Sequence, residues 1–101
     1  MQTFVTFENG YIVFKLVGEL DEHSAETARR TMDNALLTNN YQGVIFDLSR
    51  LSFMDSTGIG IVIGRYKLAR KNDKKTYVRN TSVTVDKIFK MSGLYEIITK
   101  I

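Results

Sequence analysis

The stretch VIFDLSRLSFMDSTGIGIVIGRY, residues 44–66, decides the fold. Val44–Leu48 is a short apolar run of strand length and reads as a buried central strand. After the polar Ser49 and Arg50, Asp55-Ser56-Thr57-Gly58 opens a segment in which Ile59, Val62, Ile63 and Tyr66 recur at helical spacing. A strand feeding a helix through a capping sequence is the repeating unit of an α/β layer. Gly60 and Gly64 lie four apart on one face of that helix. Each weakens a helix by about 1 kcal/mol relative to alanine, so the expectation is that a strand or helix approaches closely there.

The flanking segments extend the same pattern. Upstream, Thr3–Glu8 and Tyr11–Val17 are β-rich runs separated by Asn9-Gly10, whose residues both tolerate positive φ, and they predict a hairpin. In the second arm only Lys15 is polar, so most of both faces should be covered. Gly18-Glu19-Leu20-Asp21 leads out of the sheet into a helix capped by Asp21 or Ser24. Its Ala25, Ala28, Met32, Ala35 and Leu36 form one apolar stripe, and Asn39-Asn40 ends it. Downstream, Thr76–Arg79 reads as a weak strand, and Ser82 caps a short helix with Val85, Ile88 and Phe89 facing inward. Ser92-Gly93 stops that helix, and Tyr95–Ile101 reads as a last strand. The order ββαβαβαβ implies an α/β fold with a small mixed, mostly parallel sheet flanked by helices.

Composition bounds what such a domain can do. A chain of 101 residues, 44% apolar and 25% charged, allows one compact domain, residues 1–101. A domain of this size buries roughly 60–65% of its unfolded surface, enough for a core without staples. There are no cysteines, so disulfides, thiolate metal sites and a cysteine nucleophile are excluded, which fits a reducing cytoplasm. His23 is the only histidine, so no metal site rests on several imidazoles. No apolar run approaches the roughly 18 residues of a membrane span, and MQTFVTFENGY lacks the basic start and apolar core of a signal peptide. The net charge of +3 is a mild bias.

Three chemistries compete for Asp55-Ser56-Thr57-Gly58. A nucleophilic serine needs a base and an orienting group, but G-x-S-x-G is absent and His23 lies far upstream with nothing to orient it. Gly58-x-Gly60-x-x-x-Gly64 matches neither the dinucleotide fingerprint nor the Walker loop, so phosphate binding by the helix start has weak support. Ser56 as the acceptor of a phosphoryl group stands as a third use, and ordinary capping is the plain structural one. The residues alone leave these open. The run Arg65–Lys75 holds six cations and one acid, with no groove-reading motif and little aromatic interleaving. It reads as the solvated end of a helix, where positive charge complements the dipole, with a small nucleic-acid binder as the rival.

Four motifs in order, Gly18-Glu19-Leu20-Asp21, Leu51–Gly60, Gly64-Arg65-Tyr66-Lys67 and Met91-Ser92-Gly93-Leu94, resemble the STAS-domain anti-sigma factor antagonists. GRYK and the ending KMSGLYEII resemble the sporulation branch, which acts on an anti-sigma F factor, while MDSTG also occurs in the general-stress branch. The resemblance implies a cytoplasmic, non-enzymatic regulator that uses no cofactor or metal and makes no direct contact with nucleic acid or membrane. Its partners would be an anti-sigma factor that is also a serine kinase, and a PP2C-type phosphatase. It implies that Ser56 is the phosphoacceptor and that Asp21, Asp55, Thr57, Gly58, Ile59 and Gly60 belong to the partner surface, with His23 and Arg65 as secondary candidates. The glycines would let a partner approach the backbone around Ser56. A nucleotide-binding STAS module is the alternative. The chain departs from the family pattern in three places. It ends at Ile101, where relatives continue into a final helix, and it lacks a proline in Asn80-Thr81-Ser82 and glycines in Lys71–Lys75.

Overall fold

A computed structural model describes residues 1–101. β1 (Gln2–Glu8) and β2 (Tyr11–Leu20) form the expected hairpin, with Asn9 at φ 51° and Gly10 at φ 84° in the turn. The chain then alternates: α1 (Ala25–Thr38), β3 (Gly43–Met54), α2 (Ser56–Lys71), β4 (Lys75–Arg79), α3 (Val83–Ser92) and β5 (Thr99–Lys100). The five strands lie in the order β1-β2-β3-β4-β5, antiparallel in the hairpin and parallel across the rest. No helix is long and apolar enough to cross a membrane.

Strand alternation and helix stripes meet in one core of 20 buried residues. Ile12, Phe14 and Leu16 of β2 and Val44, Phe46 and Leu48 of β3 point into it. They pack against the α1 stripe, Val62 and Ala69 of α2, and Val85 and Phe89 of α3. Each large side chain fully buried there, such as Phe14 or Phe46, contributes about 1.5–3 kcal/mol. The opposite sheet face carries Val13 and Ile45, which are buried but lie outside that cluster. Beside them Arg79 bridges Asp47 (Nε to Oδ2, 3.1 Å) and Glu8. Burial would raise the Asp47 carboxyl, but the Ser49 amide and Arg79 outweigh it and hold it below its usual range. The expectation that both faces are covered therefore holds through helices on one side and through the sheet's own side chains on the other.

Two strands differ from the sequence reading. β3 runs to Met54, well past Leu48, because β2 and β3 stay paired through register shifts at Lys15/Val17 and Gly18/Glu19. Those irregularities put the buried residues Leu51 and Met54 three apart, which erases the period-two signal of a strand. The last strand, expected over Tyr95–Ile101, is only Thr99–Lys100; Leu94–Glu96 forms a 3-10 turn that buries Leu94. Asp86 anchors this terminus, accepting hydrogen bonds from the Tyr95 hydroxyl and from Lys100 (2.9 Å), and pairing with Lys90 (3.0 Å).

Candidate functional site

The long pairing of β2 with β3 places two loops side by side, since both leave the carboxyl ends of neighbouring parallel strands. That end of an open α/β sheet is where ligands and partners are commonly met. One loop, Asp21–Ser24, leads from β2 into α1; the other is Asp55, leading from β3 into α2. Asp55 ties them. Its amide donates to the Leu20 carbonyl (3.3 Å), and Oδ1 accepts from the Gly58 amide (2.9 Å), capping α2. Oδ2 accepts from the Glu22 amide (3.1 Å), a bond spanning 33 residues of chain. Capping, the plain reading of Asp55, is thus real, and the same carboxylate also orders the neighbouring loop.

Asp21 shapes its loop in the same way. Its Oδ1 accepts from the amides of His23 (3.0 Å) and Ser24 (3.1 Å). The Ser24 amide, with the His23 amide helping, holds the Asp21 carboxyl below its usual range. Ser24, the residue before α1, does not cap the helix with its side chain; its hydroxyl donates to the Glu19 carbonyl (2.8 Å) and accepts from the Asp21 amide (3.0 Å). Ser56 is the first residue of α2, exposed, and its hydroxyl makes no hydrogen bond within the chain. Thr57 is exposed beside it. No hydrogen bond joins His23 to Ser56, and the imidazole instead lies 3.8 Å from Glu22. No group of three or more His, Asp and Glu side chains gathers to hold a metal ion.

The three glycines of α2 divide in a way the spacing did not predict. Gly58 is buried, and a Cβ there would stand 2.1 Å from the Leu20 carbonyl oxygen. It lets the first turn of α2 sit against the end of β2, where the two loops begin, and is not offered to the outside. Gly60 and Gly64 have open space around them, so the close approach expected of them does not occur within the chain. Arg65 also departs from expectation. It is buried with its Nε 2.9 Å from Asp33 Oδ1 on α1, though that N–H is not aimed at the oxygen. It belongs neither to the solvated helix end nor to the surface around Ser56.

Beside Ser56 runs a shallow apolar groove of about 330 Å³ between α2 and α3. Ile59 and Ile88 form its half-buried floor, and Phe53 and Met91 stand exposed at its rim, Met91 at 89%. Ile59 belongs to the sequence-derived set, whereas Phe53, Ile88 and Met91 do not. Ile88, expected to face inward, packs against the core while its outer side stays half-buried in the groove. The signal available for Met91 was its position off the Val85–Phe89 stripe of α3.

Comparison with known proteins places the chain in a family and identifies its fold. The STAS domain model matches residues 4–101. An anti-sigma F factor antagonist from Paenibacillus polymyxa is 33% identical over 97 residues, covering 96% of this chain and 83% of the relative. One from Lysinibacillus sphaericus is 39% identical over 83 residues, covering 82% of this chain and 71% of the relative. Among solved structures, the unphosphorylated form of the anti-sigma factor antagonist SpoIIAA superimposes with a TM-score of 0.83 at 33% identity, covering 99% of this chain and 88% of that one. The phosphorylated form of the Bacillus cell fate determinant SpoIIAA gives 0.75 at 32% identity, covering 99% and 91%.

Proposed function

Because this chain belongs to the STAS family, we propose that it is an anti-sigma factor antagonist, acting as a single domain over residues 1–101 and switched by phosphorylation of Ser56. Unphosphorylated, it binds an anti-sigma factor that is also a serine kinase and so releases the sigma factor. The kinase phosphorylates Ser56, and a PP2C-type phosphatase restores the binding form. It works in the cytoplasm as a binding protein, without chemistry of its own. The observation that carries this reading is the free Ser56 hydroxyl, exposed at the start of α2 beside an apolar groove and locked loops.

The partner surface is then Asp21, Asp55, Thr57, Ile59 and Gly60, extended onto Phe53, Ile88 and Met91, with Gly58 acting from beneath by holding the loops together. The aromatic and methionine side chains supply the apolar area that anchors an interface. Gly60 lets the partner come close to the α2 backbone. A phosphate on Ser56 adds a charge of about −1.5 to −2. At the positive end of α2 that charge does not unfold the domain. In the interface it must lose its water beside the carboxylate of Asp55, already negative. A penalty of roughly 3–4 kcal/mol weakens binding several-hundred-fold. The switch is local electrostatics and needs no refolding.

The test mixes the protein with its anti-sigma kinase and ATP and reads intact mass, modified site and affinity. The expected result is one phosphate on Ser56, absent in Ser56→Ala, with affinity for the kinase falling several-hundred-fold on modification. A kinase active on another substrate that leaves this chain unmodified refutes the proposal.

A further inference from the structure

A second groove, of about 310 Å³, lies at the other end of the sheet. Gly43 at the start of β3 pairs with Lys75 at the start of β4, so the groove is separated from Asp55 by the full length of β3. Tyr66 and Arg70 of α2 form one wall, Lys74, Lys75 and Thr76 the base, and Ile97 the other side. Two independent features there are unexplained by folding.

The first is charge. Arg70, Lys74 and Lys75 pair with no carboxylate; the chain's ion pairs use Glu8, Glu22, Glu26, Asp33, Asp47 and Asp86. Asp73, the one acid in this run, does not line the groove and pairs with none of them. The carboxyl end of α2 carries about half a negative charge, which accounts for one cation and leaves a surplus. The second is Thr76. It is 3% exposed and its hydroxyl makes no hydrogen bond within the chain. Buried hydroxyls are nearly always satisfied, so an orphan at the base of a cationic groove points to a missing partner.

We propose that this groove binds a small phosphate-bearing molecule, a phosphomonoester. The donor set suits it: a planar guanidinium that pairs two oxygens at once, two ammonium groups acting as point charges, and a hydroxyl beneath them. Arg70 is exposed and Lys74 half-buried at the mouth of the groove, whereas the Thr76 hydroxyl is closed off from solvent, so the proposal requires the groove to open around Thr76 for that hydroxyl to donate to the phosphate. The half-buried Tyr66 ring and Ile97, 39% exposed, provide an apolar wall for the organic part of the ester. The site is independent of Ser56 and of the switch.

The test is an amide chemical-shift titration of the full chain with phenyl phosphate, against inorganic phosphate and phenol, at constant ionic strength. Saturable shifts centred on Arg70, Lys74, Lys75 and Thr76, tighter for phenyl phosphate than for inorganic phosphate, are expected. Lys74→Gln with Lys75→Gln weakens binding at least tenfold. Thr76→Val keeps the charge and weakens it several-fold, while Thr76→Ser binds as the parent does; thermal melts establish that each variant is folded. Shifts that do not saturate, that appear equally at Lys87 and Lys90, or that persist unchanged in Thr76→Val overturn the proposal. Equal affinity for inorganic phosphate overturns the role given to Tyr66 and Ile97.

Discussion

Replacing Gly58 by alanine tests whether the contact between the two loops underlies the candidate site. The added Cβ would stand 2.1 Å from the Leu20 carbonyl oxygen and 3.0 Å from its carbon, against backbone that has no rotamer to yield. One loop must move by more than 1 Å to restore ordinary contact, which is roughly 3.3 Å or more for carbon and oxygen. That same carbonyl accepts from the Asp55 amide, and the displacement also strains the bond from the Glu22 amide to Asp55 Oδ2. Overpacking costs about 1–3 kcal/mol and a lost hydrogen bond about 1 kcal/mol more. Alanine's better helix propensity returns up to about 1 kcal/mol. The net loss is about 1–3 kcal/mol, a fall in Tm of roughly 5–20 °C for a domain this small. Gly60→Ala and Gly64→Ala are the controls. Both sites are open, so each variant gains about 0.5–1 kcal/mol. Thermal and urea unfolding of the three variants give the comparison. A Gly58→Ala protein melting within about 2 °C of the parent, or a Gly60→Ala protein that loses as much, would refute this account of α2.

Two further outcomes follow from hydrogen bonds at the loops and the terminus. Asp55→Ala removes both the α2 cap and the tie to Glu22, costing about 1–2 kcal/mol, whereas Asp55→Asn keeps one acceptor and loses about half as much; equal losses in urea unfolding would count against the bridging role. Asp86→Asn is less stable than the parent near neutral pH. Tyr95 foremost, then Lys100 and Lys90, holds the Asp86 carboxyl well below its usual value of 3.8. A carboxyl depressed in the folded state stabilises fully above the unfolded value and loses that contribution as pH falls through the folded one. Thermal melts of parent and Asp86→Asn should therefore differ most above about pH 5 and converge below pH 3.8 towards strong acid. A gap that stays constant with pH would remove Asp86 as the anchor of β5.

The local elements of this protein are legible in its sequence. Asn9-Gly10 has one good use between two β-rich runs, and the Ala25–Leu36 stripe fits a period of 3.6 and nothing else. The cap at Asp55 and the stop at Gly93 are where local chemistry puts them. Motif resemblance points to Ser56 and Asp21, and the fold brings their loops together. What escaped was decided by contacts between distant segments. The full length of β3 is hidden because the irregular pairing with β2 breaks its alternation. Gly58 and Gly60 look alike as letters, yet one faces the Leu20 carbonyl and the other faces open space. Arg65 belongs to a charged run in sequence and to Asp33 in space. The apolar groove draws Phe53, Ile59, Ile88 and Met91 from three elements, and the cationic groove draws on α2, β4 and the final turn. Periodicity and capping are written within a few residues, because they depend on backbone geometry repeated along the chain. A bond such as that from the Glu22 amide to Asp55, 33 residues away, depends on the register of two parallel strands, and only the folded sheet sets it.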